Sequence, residues 1–306
     1  MEELQTPEAK IPWYKYKKMK NQGKFLIFWQ FLAATIVIFF AAYIMIDSFI
    51  SGFDDGFMSD DSYSSDDANS SSGSCNVTGM NLHGEVVTYV SPENEDSDGY
   101  STQDQTESES IMQWIEEAEA DDSIKAIAIE IDSMGGSPVA GEEIAIALKN
   151  AKKPSVVFIR GSGDSSAYLA ATGADRIYAS KYSDVGSIGV TMSYLDSSRE
   201  NQIGGKTYNS LSSGKFKDTG DPDKALTEEE KKLLMRDVNL MHDNFVKEVA
   251  ENRKLDVKKV AALADGSTML GEMALQNGLI DAIGGYPEIK DYLAEVIGEK
   301  PEICWY

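Results

Sequence analysis

Three hydrophobic patterns succeed one another along the chain. The first is unbroken: Phe25–Ile46, FLIFWQFLAATIVIFFAAYIMI, carries no charge and a single Gln. At about 1.5 Å per residue it can cross a hydrocarbon core of about 30 Å, and it predicts a transmembrane helix over 25–46. Lys10, Lys15, Lys17, Lys18, Lys20 and Lys24 precede it, and no Lys or Arg follows until Lys125. The positive-inside rule therefore puts the basic segment 1–24 in the cytoplasm and everything after Asp47 outside. It is long for a signal-peptide core, and no small-x-small cleavage site follows closely.

The second pattern is polar. Within 47–80, Asp54, Asp55, Asp60, Asp61, Asp66 and Asp67 sit among serines and glycines. Such a stretch has too little apolar surface and too much like charge to bury a core, and reads as a self-repelling linker.

From residue 81 to 306 short apolar runs alternate with helical spacing. Gly84–Val90 reads as a strand, Ser91–Ser108 as an acidic loop, and Glu109–Ala120 as a helix with Ile111, Trp114, Ile115 and Ala118 on one side. Lys125–Ile131 is a strand, Asp132–Pro138 a turn, and Val139–Asn150 a helix with Pro138 at its first turn. Ser155–Ile159 is the next strand, followed by a small-residue helix over Ala167–Gly173 and a strand over Arg176–Ala179. A helix is expected near Tyr194–Gln202, and Thr227 with Glu230 forms a capping box opening a long helix to about Arg253. Val257–Leu263, Gly271–Asn277 and Pro287–Ile297 are further helices. Strand, turn and helix in repetition imply an α/β fold with parallel pairing and right-handed crossovers.

Composition narrows the function. The 306 residues carry a net charge of −23, which argues against a nucleic-acid partner, because phosphate backbones need a basic surface. Cys75, Cys304, His83 and His242 are isolated from one another, so no metal-ligand spacing exists among them and no cofactor is implied. The sequence does not decide whether the two cysteines pair.

Candidate chemistry gathers where strands end. Ser165 and Ser166 lie between the Ser155–Ile159 strand and the following helix, beside the unpaired N–H groups of a helix start. Such a serine is either a nucleophile or a helix cap. Gly135-Gly136, after the neighbouring strand, is either a tight turn or a pair of backbone donors for an oxyanion. A serine nucleophile needs a base. His83 precedes the first strand and His242 sits in a charged helix, so a Ser-His-Asp triad does not suggest itself. A desolvated lysine can serve instead, its pKa brought down by burial.

GSGDSSAYLAATGADRIYA, DSMGG, DVGSIGV and SSGKFKD, in this order, resemble the signal peptide peptidase A family of serine proteases. The resemblance runs from about Gly84 to Ile297 and implies a ClpP/crotonase-like fold with a parallel sheet and βα repeats. Carried over by position, it puts the nucleophile on Ser165, the general-base lysine on Lys217 and the lysine-orienting serine on Ser187. The oxyanion hole falls on backbone N–H groups of Gly135, Gly136 and Ser166. Three departures stand out: Met134 where the family has proline, Ser166 where it has glycine, and Asp164 where it has a small apolar residue. A carboxylate near the lysine would favour its ammonium form, so Asp164 is expected to point away from the dyad, towards solvent.

The resemblance implies a membrane-anchored endopeptidase with no cofactor. It would act outside the cytoplasm on signal-peptide remnants or unfolded peptides with small or apolar side chains near the cut. It also implies a homo-oligomer whose Ser and Lys come from neighbouring protomers. The rival readings are a non-catalytic peptide-binding scaffold of the same fold and a crotonase-like enzyme acting on acyl thioesters. Removal of the extracytoplasmic site from any acyl-CoA pool weighs against the second.

Overall fold

A computed structural model describes residues 75–90 and 104–306. The basic segment, the expected transmembrane helix and most of the acidic linker lie outside the described residues. Among the described residues no helix is long and apolar enough to cross a membrane.

The sheet is built from Val-, Ile- and Ala-rich strands that are buried on both faces, as parallel strands require. Strands β1 (Val77–Val87), β2 (Gln105–Glu107), β3 (Ala126–Gly136), β4 (Ser155–Asp164), β5 (Arg176–Ala179) and β8 (Ala282–Ile283) run in the order β2-β1-β3-β4-β5-β8, every neighbouring pair parallel. Three more strands, β6 (Asp184–Gly186), β7 (Thr268–Leu270) and β9 (Ile303–Trp305), join off this path. β4 pairs with β5 over its first half and with β6 over its last three residues, Ser162–Asp164. The β6–β7 pair is antiparallel, so the sheet is mixed only at that corner.

Alternation along β3 sorts the core. Ile127, Ile129 and Ile131 face a large cluster with α1 (Ser108–Ala120), α2 (Pro138–Asn150), α3 (Ser166–Ala171) and α5 (Glu228–Asn252). Ala126 and Ala128 face a smaller cluster under Ile289 and Leu293 of α8 (Tyr286–Ile297). The remaining helices are α4 (Ser198–Ile203), α6 (Val257–Leu263) and α7 (Gly271–Asn277). Thr227 Oγ1 accepts from the Glu230 N–H at 3.2 Å and the Glu230 carboxylate accepts from the Thr227 N–H at 2.9 Å, the expected capping box.

Several expectations change. β1 starts at Val77, inside the stretch read as linker, and Val77 and Met80 are fully buried. His83 lies within β1 rather than before it, with Nε2 3.1 Å from the buried Glu130 carboxylate. Asp132–Gly136 is not a turn. After a register shift between Ile131 and Ser133 it continues β3, with Glu85 opposite Gly135 and Val86 opposite Gly136. The Ser133 hydroxyl donates to the Gly84 carbonyl at 2.5 Å, and the Ser137 N–H to the Val86 carbonyl at 2.7 Å. Ladder bonds to β1 thus override the turn preference of Gly-Gly. The chain end forms β9, paired with Val77–Gly79 and bridged by a Cys75–Cys304 disulfide.

Candidate active site

Beyond the register shift between Ile131 and Ser133, β3 and β4 pair again at Ser133 and Gly163, and this sets Gly135 against the end of β4. A Cβ on Gly135, whose φ is +100°, would meet the Asp164 carbonyl oxygen and Ser165 Cβ at 2.8 Å each. Ser165 itself turns the chain from strand to helix with φ 52° and ψ −125°. Its N–H donates to the Gly186 carbonyl at 2.8 Å and its carbonyl accepts from the Leu169 N–H at 3.0 Å. A non-glycine residue at positive φ costs about 1–3 kcal/mol and persists only where its surroundings over-determine it. Here β6 and α3 do so.

Ser165 lines a cavity of about 910 Å³, bounded by the β3–α2 junction, α3, the chain after β6, and α5. Ser187 lines the same cavity, also at positive φ, 46°. Its N–H donates to the Ser267 carbonyl and its hydroxyl to the Gly266 carbonyl, both at 3.1 Å. Among the described residues Lys254 is the only other non-glycine residue at positive φ, so backbone strain concentrates at this cavity.

The two adjacent serines differ in access. Ser165 is half-buried, whereas Ser166 is 3% exposed and its Oγ has no hydrogen-bond partner among the described residues. The Ser165 side chain makes no capping hydrogen bond, which removes the structural reading of that serine as a helix cap. Ser166 opens α3, where backbone N–H groups have no intrahelical acceptor. Of the glycine pair, Gly136 lines the cavity, while the Gly135 N–H donates to Ser133 Oγ at 3.0 Å.

Lys217 is not among the residues that line the cavity of its own chain. It is exposed, in a turn whose neighbour Asp218 accepts from the Ser210 and Tyr208 hydroxyls at 2.5 and 3.3 Å. Lys224 pairs with the buried Glu230 carboxylate at 2.5 Å and holds it well below the usual carboxylate range, which pins this segment to the start of α5. The same arm exposes Leu195, Ile203, Leu211 and Phe216.

Asp164 does not face solvent, contrary to expectation. It is 5% exposed, on the strand edge that pairs with Gly186. Burial, and then the charge of Asp184, push its carboxyl up to about 6. Its Oδ1 has no hydrogen-bond partner among the described residues.

Sequence reasoning passed over the α5 wall. Met241, Phe245 and Glu248 fall on one stripe of that helix and line the cavity, as does His242. His242 is therefore nearer the chemistry than its charged surroundings suggested. Its Nε2 is 2.8 Å from the Ala264 carbonyl, which only accepts, so Nε2 carries the proton. The i, i+4, i+7 spacing was the one available signal, and it does not say which face α5 presents. Among the described residues no group of three or more His, Cys, Asp or Glu side chains is arranged to hold a metal ion.

Comparison with known proteins gives the same region. The model of "Peptidase family S49" matches residues 147–298, and that of "Clp protease" matches residues 99–182. The "Putative protease MJ0651" of Methanocaldococcus jannaschii is 34% identical over 212 residues, 68% of this chain and 68% of its own length. The "Putative signal peptide peptidase SppA" of Enterococcus faecium is 31% identical over 195 residues, 63% of this chain and 57% of its own. The chloroplastic "Serine protease SPPA" of Arabidopsis thaliana is 28% identical over 180 residues, 58% of this chain and 27% of its own.

Proposed function

The chain belongs to peptidase family S49, serine proteases with an α/β, ClpP/crotonase-like core, and from that premise we propose that it is a membrane-anchored endopeptidase with a Ser-Lys dyad. Ser165 is the nucleophile. The observation that carries this is its strained position at the strand-to-helix turn, open to the cavity, beside a Ser166 that is buried.

Lys217 takes the Ser165 proton as Oγ attacks the scissile carbonyl, and Ser187 orients the amine. Backbone N–H groups of Gly136 and Ser166 hold the oxyanion. Gly135, at the end of β3, permits the close approach to Ser165 and contributes its own N–H once that donor leaves Ser133 Oγ. Proton return from Lys217 expels the amine product, and water activated by the same lysine hydrolyses the acyl-enzyme.

Lys217 reaches Ser165 of a neighbouring protomer. The exposed apolar side chains of its arm, Leu195, Ile203, Leu211 and Phe216, support an oligomer that covers them. Phe25–Ile46 anchors each protomer, with the peptidase domain outside the cytoplasm. The Cys75–Cys304 bridge fits an oxidising compartment. A site tethered beside the bilayer suits signal-peptide remnants and unfolded peptides released there.

The test is fluorophosphonate labelling and peptide turnover by the full-length chain in detergent, against Ser165→Ala. Labelling and turnover lost in the variant are expected. No labelling and no turnover in the wild-type oligomer would overturn the protease reading in favour of a peptide-binding scaffold.

A further inference from the structure

The cavity beside Ser165 has an apolar wall and an acidic end. Met134, Val139, Leu169, Val190, Met241 and Phe245 supply the wall. Glu142 of α2 and Glu248 of α5 supply two carboxylates from different helices. Close approach of α2 and α3 brings the first to the site. A Cβ on Gly141, next to Glu142, would lie 2.4 Å from the Ser166 carbonyl oxygen, so only glycine allows this contact.

Among the described residues neither Glu142 nor Glu248 has an ion-pair partner, and no Lys or Arg lines the cavity. Lys149, whose charge acts on Glu248, is itself paired elsewhere: its ammonium lies 2.6 Å from Glu251 and 3.1 Å from Asn252 Oδ1. Asp265, the third acid of the lining, is satisfied by the N–H and hydroxyl of Ser267 at 2.9 and 2.5 Å. Burial, and then the charge of Glu142, raise the Glu248 carboxyl above its ordinary range. The two acids thus repel one another, and the charge of Lys149, which lies outside the lining, offsets only part of that repulsion at Glu248. Beside them the Ser166 hydroxyl, buried and without a partner, is one more unused polar group in the lining.

We propose that this end of the cavity is a specificity subsite for a Lys or Arg side chain of the peptide substrate, with Glu142 and Glu248 as its determinants. It rests on the protease reading above and departs from the small or apolar preference that the family resemblance implied. A long basic side chain fits both halves: its methylene stem covers the apolar wall while its head reaches the two carboxylates. The net charge of −23 draws cationic peptides towards the cleft from a distance.

The experiment compares peptides identical except at one position near the cut, carrying Lys, norleucine or Glu. On the full-length Ser165→Ala oligomer, fluorescence anisotropy is expected to give roughly tenfold tighter binding of the Lys peptide than of the norleucine peptide, as charge-assisted hydrogen bonds imply. In the wild-type oligomer kcat/KM should follow the same order. Glu142→Gln with Glu248→Gln should bring the Lys-to-norleucine ratio towards one, and Glu248→Lys should move the preference towards the Glu peptide. Equal binding of the Lys and norleucine peptides overturns the subsite, as does a Lys preference that survives the double Gln variant. Binding with a Lys preference but no wild-type turnover sinks the protease reading and leaves the subsite standing. Turnover of all peptides without preference does the reverse.

Discussion

Gly135 and Ser165 approach so closely that a methyl group on the glycine would press on the serine's own Cβ at 2.8 Å. The contact exists because β3 does not turn at its Gly-Gly pair but runs on beside β1 until it meets the end of β4. Gly135 also sits at φ +100°, so any side chain there is strained as well as crowded. Gly135→Ala is therefore expected to displace Ser165 and the Ser166 N–H together. Turnover should fall by roughly 10²-fold or more, as when an oxyanion donor is lost. Single-turnover kinetics on a variant with native circular dichroism would check this; wild-type turnover would show that the contact has no catalytic role.

The buried Asp164 carboxyl makes a pH-dependent contribution to stability whose sign follows from its raised folded pKa, about 6 against 3.8. The protonated form is the one the fold favours. Its contribution is complete below about pH 4, is lost as pH rises towards 6, and stays lost above. Asp164→Asn should then stabilise the protein at pH 7.5 by up to about 3 kcal/mol, from about 1.4 kcal/mol per pKa unit. It should make little difference at pH 4. Thermal unfolding of both proteins across pH 4–8 reads the difference; a gap of the same size at every pH would contradict it.

How far the sequence carried depends on what holds each element. The long helix α5 was legible because Thr227 and Glu230 announce its start and its length leaves no other reading. α6 and α7 fall at the expected residues for similarly local reasons. Val77–Met80 was hidden by the acidic, serine-rich stretch before it, and what makes it a strand is pairing with β3 and β9. The extension of β3 through Gly136 was masked by a local turn signal that distant ladder bonds overrule. In the site, the neighbourhood of Ser165 was readable from motifs. Glu142 and Glu248 were not, because their meeting depends on how α2 and α5 pack over the cavity.

The Cys75–Cys304 bridge fastens the residues just before β1 to β9, with Cα atoms 5.8 Å apart and a sequence separation of 229. Closing so long a loop in the unfolded chain is expected to contribute about 2–5 kcal/mol. Cys75→Ser with Cys304→Ser should lower the urea midpoint accordingly and raise the m-value, because the denatured chain loses its cross-link and expands. Ser165 and the cavity lie at the opposite ends of the strands, so probe labelling of the folded variant should stay within about twofold of wild type, by the independence of distant sites. An unchanged urea midpoint would show that β9 is held by its ladder and packing alone.

Lys217 is not among the residues lining the cavity that Ser165 lines in its own chain, so the proposed dyad is completed either by a neighbouring copy or by movement of the arm. The two alternatives predict different outcomes for mixtures. Ser165→Ala and Lys217→Ala chains are each expected to be inactive alone. If the sites are shared, co-assembled chains regain activity, since some cavities then hold an intact Ser165 and receive an intact Lys217. With random pairing at each interface, an equal mixture should recover roughly a quarter of wild-type turnover, by simple counting of site combinations. If the arm folds back within one chain, every site in the mixture lacks one partner and turnover stays at the level of the single variants. His242→Gln serves as the internal control: a lysine base predicts at most about a tenfold loss from removing the imidazole, whereas a histidine base predicts a loss of about 10²–10⁴. Mixed oligomers verified by two affinity tags and showing no rescue would place the base within the protomer, and the His242 result would then say whether that base is the imidazole lining the cavity.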